Sequence, residues 1–255
     1  MWTYQLQETG YDLVKGDEYA VLAQKIAEID GNDRDEETRS KILLNSYRFQ
    51  GIIGSYLDTE KSISCTKKWI ELLVDRIMKH QSKEDIDTLP IAYNEYGRAL
   101  MRVPDEKEAL LSFEISSDTI AKRTTPGDLP FPYPWFHRAL IHAFGEHADL
   151  ADSLISPILE QREKKLRKDD TKTYEYVAKA NRFLRVLTSL RTGMILTCLG
   201  HVRRAQGKKE ESYEYNQRAE RVVPTGTGER SLASLTAYYR LACDEFDRER
   251  YKEAR

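Results

Sequence analysis

Three histidines recur at five-residue steps, His137, His142 and His147. Imidazoles in a short run suggest a metal site, but five residues turn a helix by about 140°, so the three do not share a face. A zinc site prefers ligands at i and i+4 with further ligands elsewhere, and only His142 with Glu146 keeps that spacing. The expectation is no metal, with His142 on an inner helix face and the other two at helix ends. The acidic loop Asp30 to Glu37 has the oxygens of a calcium loop. Such a loop needs glycine at its sixth position, where this chain has Asp35. Pro224 to Ser231 is glycine-rich but lacks the GxxxxGK[ST] spacing of a phosphate loop. It reads instead as a turn, with Pro224 stopping one helix and Ser231 capping the next. No GxSxG and no paired Cys/His cassette occurs, and the carboxylates cannot be paired in space from sequence. The chain is expected to be no enzyme and to carry no cofactor.

Side chains suited to recognition are more plentiful. Arg182, Arg185, Arg191, Arg203, Arg204, Lys208 and Lys209 form a basic cluster. It reads as a solvated helix face, or as a surface that meets an acidic peptide through Arg203. Nucleic acid is not the expected partner, because 40 basic and 42 acidic residues leave a net charge of -2. Between Lys122 and Trp135, four prolines alternate with Phe131, Tyr133 and Trp135. Proline favours extended backbone, so the segment reads as a stiff connector, either a strap on the fold or a lid over a groove.

The elements that must position these residues are helical. The 255 residues are 40% hydrophobic and 32% charged, glycine and proline are scarce and clustered, and no convincing period-2 alternation appears. Mean hydropathy is -0.64, and no apolar run approaches a membrane span. The start lacks the pattern of a secretory signal. Cys65, Cys198 and Cys243 are odd in number and far apart, as suits the cytosol or the nucleus.

The stretch Tyr93, Tyr96, Gly97, Leu100, Ala109, Phe113, Ser116 has the spacing of two antiparallel helices. Gly97 and Ala109 are small where the helices cross, and Phe113 fills the space a turn later. Pro104-Asp105 supplies the turn and the cap. The template recurs at Leu196, Leu199, Gly200, Arg203, Ser212, Asn216, Ala219, with Gly207 in the turn. It recurs again at Trp135, Arg138, Ala139, His142, Ala151, Ile155, Ile158, and at Tyr238, Leu241, Ala242, Glu245, Ala254. A weaker copy is Phe49, Ile52, Ile53, Tyr56, Cys65, Trp69, Leu72, with Gly51 and Gly54 flanking Ile53. Three of the four separations between the small positions are 44, 42 and 42 residues. The fourth, 61, leaves room near Lys168 to Arg191 for an extended or added helix. Pro157 predicts a kink or a late helix start. Near the N-terminus, Leu13 to Asp17 reads as a helix end and turn, and Glu18 to Ile29 as a helix with Tyr19, Leu22, Ile26 and Ile29 on one face.

The motifs Tyr93-x2-Tyr96-Gly97…Ala109-x3-Phe113 and Leu199-Gly200…Ala219…Pro224 resemble tetratricopeptide repeats. The period near 42 is similar to that of the long-repeat type in kinesin light chains and in the C-terminal arms of signal-transducing NTPases, including fungal NLR-like proteins. The resemblance covers roughly residues 40–255. It implies an all-α, right-handed solenoid of antiparallel helix pairs. Residues 1–40 would form a cap or degenerate repeat, and residues 41–255 about five pairs, the last incomplete. It also implies a protein-interaction scaffold, binding a peptide or helix in a concave groove lined by Asn94, Arg98, His142 and Arg203. Phe131, Tyr133 and Trp135 would supply the lid. The alternatives are a sensor arm of a larger NTPase, motivated by the stop at Arg255 in mid-repeat, and an enzyme built on helical repeats.

Overall fold

The computed structural model describes residues 12–29, 35–103, 105–124, 132–145, 147–166, 182–227 and 232–247. Ten helices and no strand occur among the described residues. The chain divides into two compact units, Met1–Lys122 and Arg123–Arg255. Each is built from antiparallel helices packed on their sequence neighbours, the architecture of an α-solenoid.

The first unit holds α1 (Leu13–Ile29), α2 (Glu36–Leu57), α3 (Thr59–His80), α4 (Lys83–Leu100) and α5 (Glu106–Arg123). Their ends follow from local chemistry. Asp35 caps α2, its Oδ1 accepting from the Thr38 N–H at 2.7 Å. Asp58 alone joins α2 to α3. Its N–H donates to the Gly54 carbonyl, and its side chain accepts from the Lys61 N–H. Gln81 closes α3 in the left-handed region at φ 49°, and Asp105 caps α5 by accepting from the Glu108 N–H at 3.1 Å. Leu13 to Asp17, expected as a helix end, is the first turn of α1. Asp12 accepts from the Val14 and Lys15 N–H groups and so moves the cap upstream.

In the α4–α5 pair the template holds. Gly97, Ala109, Phe113 and Ser116 are buried, and a Cβ on Gly97 would lie 2.7 Å from the Phe113 ring. In the α2–α3 pair the crossing shifts off Ile53. A Cβ on Gly54 would lie 3.0 Å from the Ser62 backbone nitrogen, and one on Gly51 would lie 2.6 Å from Thr66 Cγ2. The Ser62 hydroxyl donates to the Gly51 carbonyl at 2.7 Å. Trp69 and Leu73 fill the core of this pair, whereas Phe49, a template position, is exposed. Arg76 and Asp85 form a buried ion pair at 3.0 Å, and Arg76 also donates to Ser40.

The second unit holds α6 (Tyr133–Phe144), α7 (Ala148–Leu166), α8 (Arg182–Ala205), α9 (Lys209–Thr227) and α10 (Leu232–Asp247). Its core joins Ala139 of α6 and Ala151 and Ile155 of α7 to Leu196, Leu199 and Val202 of α8 and Ala219 and Val222 of α9. Helix α8 spans 24 residues of the long separation; residues 167–181 lie outside the described residues. Neither proline sets a helix boundary. Helix α7 starts at Ala148 and runs through Pro157, and α9 continues past Pro224 to Thr227. A proline removes one N–H donor, yet its fixed φ is itself helical, and the rest of the ladder carries the helix across. Ser231, Phe131, Glu146, Pro104, Ala254 and residues 30–34 of the acidic loop lie outside the described residues.

Candidate functional site

Two of the four residues expected in a groove sit on α4. Asn94 is buried, and its amide donates to Glu95 Oε1 at 3.3 Å. Its position turns toward neighbouring helices because Ala92, Tyr96 and Ala99 around it are also buried. Arg98 is half-buried and donates to Glu95 Oε2 at 2.7 Å.

The other two belong to the second unit. Arg203 is 11% exposed at its side chain and lies between two carboxylates, Asp152 Oδ2 at 2.5 Å and Glu211 Oε2 at 2.8 Å. Its guanidinium also lies 5.9 Å from the Tyr215 ring centroid. The expected acid-meeting cation therefore has internal partners. Burial pushes the Asp152 carboxyl up, but hydrogen bonds from Arg203 and Ser156 and the Arg203 charge outweigh it and hold it below its usual range. His142 is half-buried, with its ring 6.3 Å from that of His147. His137, expected at a helix end, is in the second turn of α6, buried against Phe136 at 5.2 Å. No group of three or more potential metal ligands occurs among the described residues.

Tyr133 and Trp135, expected in an extended connector, form the first turn of α6, with Pro134 beside them at the helix start. Proline is tolerated there because its missing N–H would have had no partner. Trp135, expected in a lid, is partly buried and packs against the hydrophobic core of the unit.

What Arg203 does position is the wall of an open cleft of about 490 Å³ within the second unit. Its Nη1 donates to Gln206 Oε1 at 2.9 Å, and Gln206 Nε2 donates to Asp149 Oδ1 at 2.7 Å. His147, Ala148, Asp149 and Leu150 form one side of the cleft, and Ala205, Gln206 and Lys208 the other. Gly207 makes the turn at φ 75°, with its N–H bonded to the Arg204 carbonyl, and this places Lys208 at the rim. The first turn of α7 brings N–H groups that lack intrahelical partners, since the Ala151 N–H is the one that reaches back to the His147 carbonyl. The cleft thus offers cationic and N–H donors, the Asp149 carboxylate, and the exposed apolar Leu150. Sequence reasoning named Lys208 and His147 for other reasons and missed Asp149, Leu150 and Gln206. The available signal was the Gly207 turn facing a helix start at Ala148.

A second polar cluster ties α8, α9 and α10 together. Asn216 donates to Asp244 at 2.6 Å, Ser212 donates to it at 3.1 Å, and Arg204 bridges Asp244 and Asp247. Here the template's large position is filled by Asn216, which faces Gly200. The three cysteines are free thiols, and burial pushes the Cys198 thiol up to about 12.

No family model matches the chain, and no curated protein matches it. A solved structure does: BtubC (BKLC) from P. vanneervenii, with a TM-score of 0.65 and 12% identity, over 95% of this chain and 86% of that one. At that identity the likeness is one of fold, and it places the chain among helical-repeat proteins. No helix among the described residues is long and apolar enough to cross a membrane.

Proposed function

We propose that the chain is a protein-interaction scaffold of the tetratricopeptide type that works in a reducing compartment. In this reading it binds an extended peptide with acidic groups. The observation that carries the reading is the cleft at the α7 start and the α8 end. It is open, it presents Lys208 and the backbone N–H groups at the start of α7 to carboxylates, and Leu150 gives an apolar foothold. Its walls are held by the Arg203–Gln206–Asp149 chain of hydrogen bonds, so a ligand would meet a preorganised surface.

The test starts with the full chain immobilised in native lysate and retained proteins identified by mass spectrometry. The purified partner is then titrated against the wild type and against Lys208→Glu and Leu150→Asp. Both positions are exposed, so the fold should persist. A fall in affinity of about tenfold or more in these variants supports the reading. A partner bound equally well by both variants, or no retained partner, sinks it.

A further inference from the structure

Helix α1 carries its apolar residues on the wrong side for a helix serving only its own unit. Its inward face is small: Ala20 and Ala27 are buried, and a Cβ on Gly16 would lie 3.2 Å from Ile53 Cδ1. Polar contacts also hold it there. Gln24 bonds Tyr47 and Gln50 of α2, Arg39 donates to the Ala27 carbonyl, and Lys61 pairs with Asp17. The large residues point the other way. Tyr19, Leu22, Ile26 and Ile29 are 69%, 53%, 40% and 83% exposed. They step by three, four and three residues, the spacing of a seam between two helices. A contiguous exposed stripe of this kind marks an interaction surface.

We propose that this stripe pairs with the same stripe of a second copy of the chain, the two α1 helices running antiparallel about a two-fold axis at Leu22. This surface is separate from the cleft and does not depend on it. The charge pattern selects the occupant. Glu18 and Lys25 border the stripe on one flank, both exposed and of opposite sign, and neither pairs with another described residue. They lie on either side of Leu22, about 10 Å apart along the axis. A two-fold interface brings each patch onto itself reversed. Leu22 then meets the second copy's Leu22, Tyr19 meets its Ile26, and Glu18 lies beside its Lys25, twice over. A parallel pairing in register would set the two charged flanks on opposite sides of the seam and leave Glu18 and Lys25 without each other. Four large apolar side chains from each copy make a small interface, so the dimer belongs to the weak, reversible class, with a Kd of about 10 µM to 1 mM.

The experiment is analytical ultracentrifugation of the full chain from about 1 µM to 1 mM, the span of that class. The wild type should show a reversible monomer–dimer equilibrium. Leu22→Glu should weaken it at least about tenfold, and Glu18→Lys or Lys25→Glu several-fold, with helical circular dichroism unchanged because all three positions are exposed. The double swap Glu18→Lys with Lys25→Glu should restore the wild-type constant. A mixture of the two single variants should form a heterodimer tighter than either homodimer. A chain that stays monomeric throughout, a dimer indifferent to Leu22→Glu, or a double swap that fails to restore association would overturn the proposal.

Discussion

Replacing Gly97 with alanine separates local helix propensity from tertiary packing, because the two predict opposite signs. Gly97 is inside α4, where alanine is favoured over glycine by about 1 kcal/mol. Its missing side chain is, however, the space Phe113 occupies. A Cβ there would lie 2.7, 2.8 and 2.9 Å from three atoms of that ring. Phe113 is fully buried, so the ring cannot swing to solvent, and separating the helices disturbs the α4–α5 interface. Overpacking of this kind costs about 1–3 kcal/mol, and three contacts under 3 Å put it at the upper end. The expected net effect is a destabilisation of about 1–2 kcal/mol. For a chain of this size that lowers Tm by about 2–8 °C, read by differential scanning calorimetry. Pairing the change with Phe113→Leu supplies the control, since a smaller side chain opposite the new methyl should recover at least about 1 kcal/mol as coupling in a double-mutant cycle. An unchanged or raised Tm for Gly97→Ala, or no coupling with Phe113→Leu, would refute the close-crossing argument for this pair.

Two further outcomes follow from the ion pairs. Arg76 and Asp85 are each 7% exposed at the side chain, so Asp85→Ala should destabilise the first unit by about 3–5 kcal/mol by stranding a buried cation. The apolar pair Arg76→Met with Asp85→Leu should recover most of that loss in urea titrations, and a double variant no better than the single would refute the reasoning. In the second unit, Asp152 has a folded pKa below its ordinary 3.8, so its contribution to stability is present above that value and is lost as pH falls through the lower folded value. Arg203→Met removes the cation and leaves the burial, so the Asp152 carboxyl should titrate above its wild-type position in carbon-detected NMR. An unmoved titration would show that Arg203 does not hold it.

The two units differ in how fully they follow the repeat template, and the reason is chemical. In α4–α5 the small residue faces an aromatic ring, and the Tyr96–Glu108 and Ser116–Pro90 hydrogen bonds join the helices beside that apolar contact. In α8–α9 the equivalent place opposite Gly200 is taken by Asn216. Its amide must be satisfied when buried, and the Asp244 carboxylate of α10 satisfies it. Burial pushes the Asp244 carboxyl above its ordinary value, against the hydrogen bonds from Asn216 and Ser212. The third helix is thereby fixed to the pair by polar contacts as well as by apolar packing.

The amino-acid sequence by itself determined that the chain is helical and where the helices of three of its pairs cross. The spacing from Gly97 to Phe113, from Ala139 to Ile155 and from Gly200 to Asn216 is one pattern of buried positions, and the aspartates Asp35, Asp58 and Asp105 mark helix starts through bonds that each span three residues. These are local rules, legible without knowing what lies across the fold. Tertiary structure decided the rest. Whether Arg203 reaches solvent depends on Asp152 and Glu211, which come from other helices. Whether Tyr19 and Leu22 are core or surface depends on which face of α1 meets α2, and the small residues Gly16, Ala20 and Ala27 allowed the closer approach. The cleft likewise joins the start of one helix to the end of another 57 residues away, the Asp149–Gln206 bond, a proximity that no periodicity within either helix records.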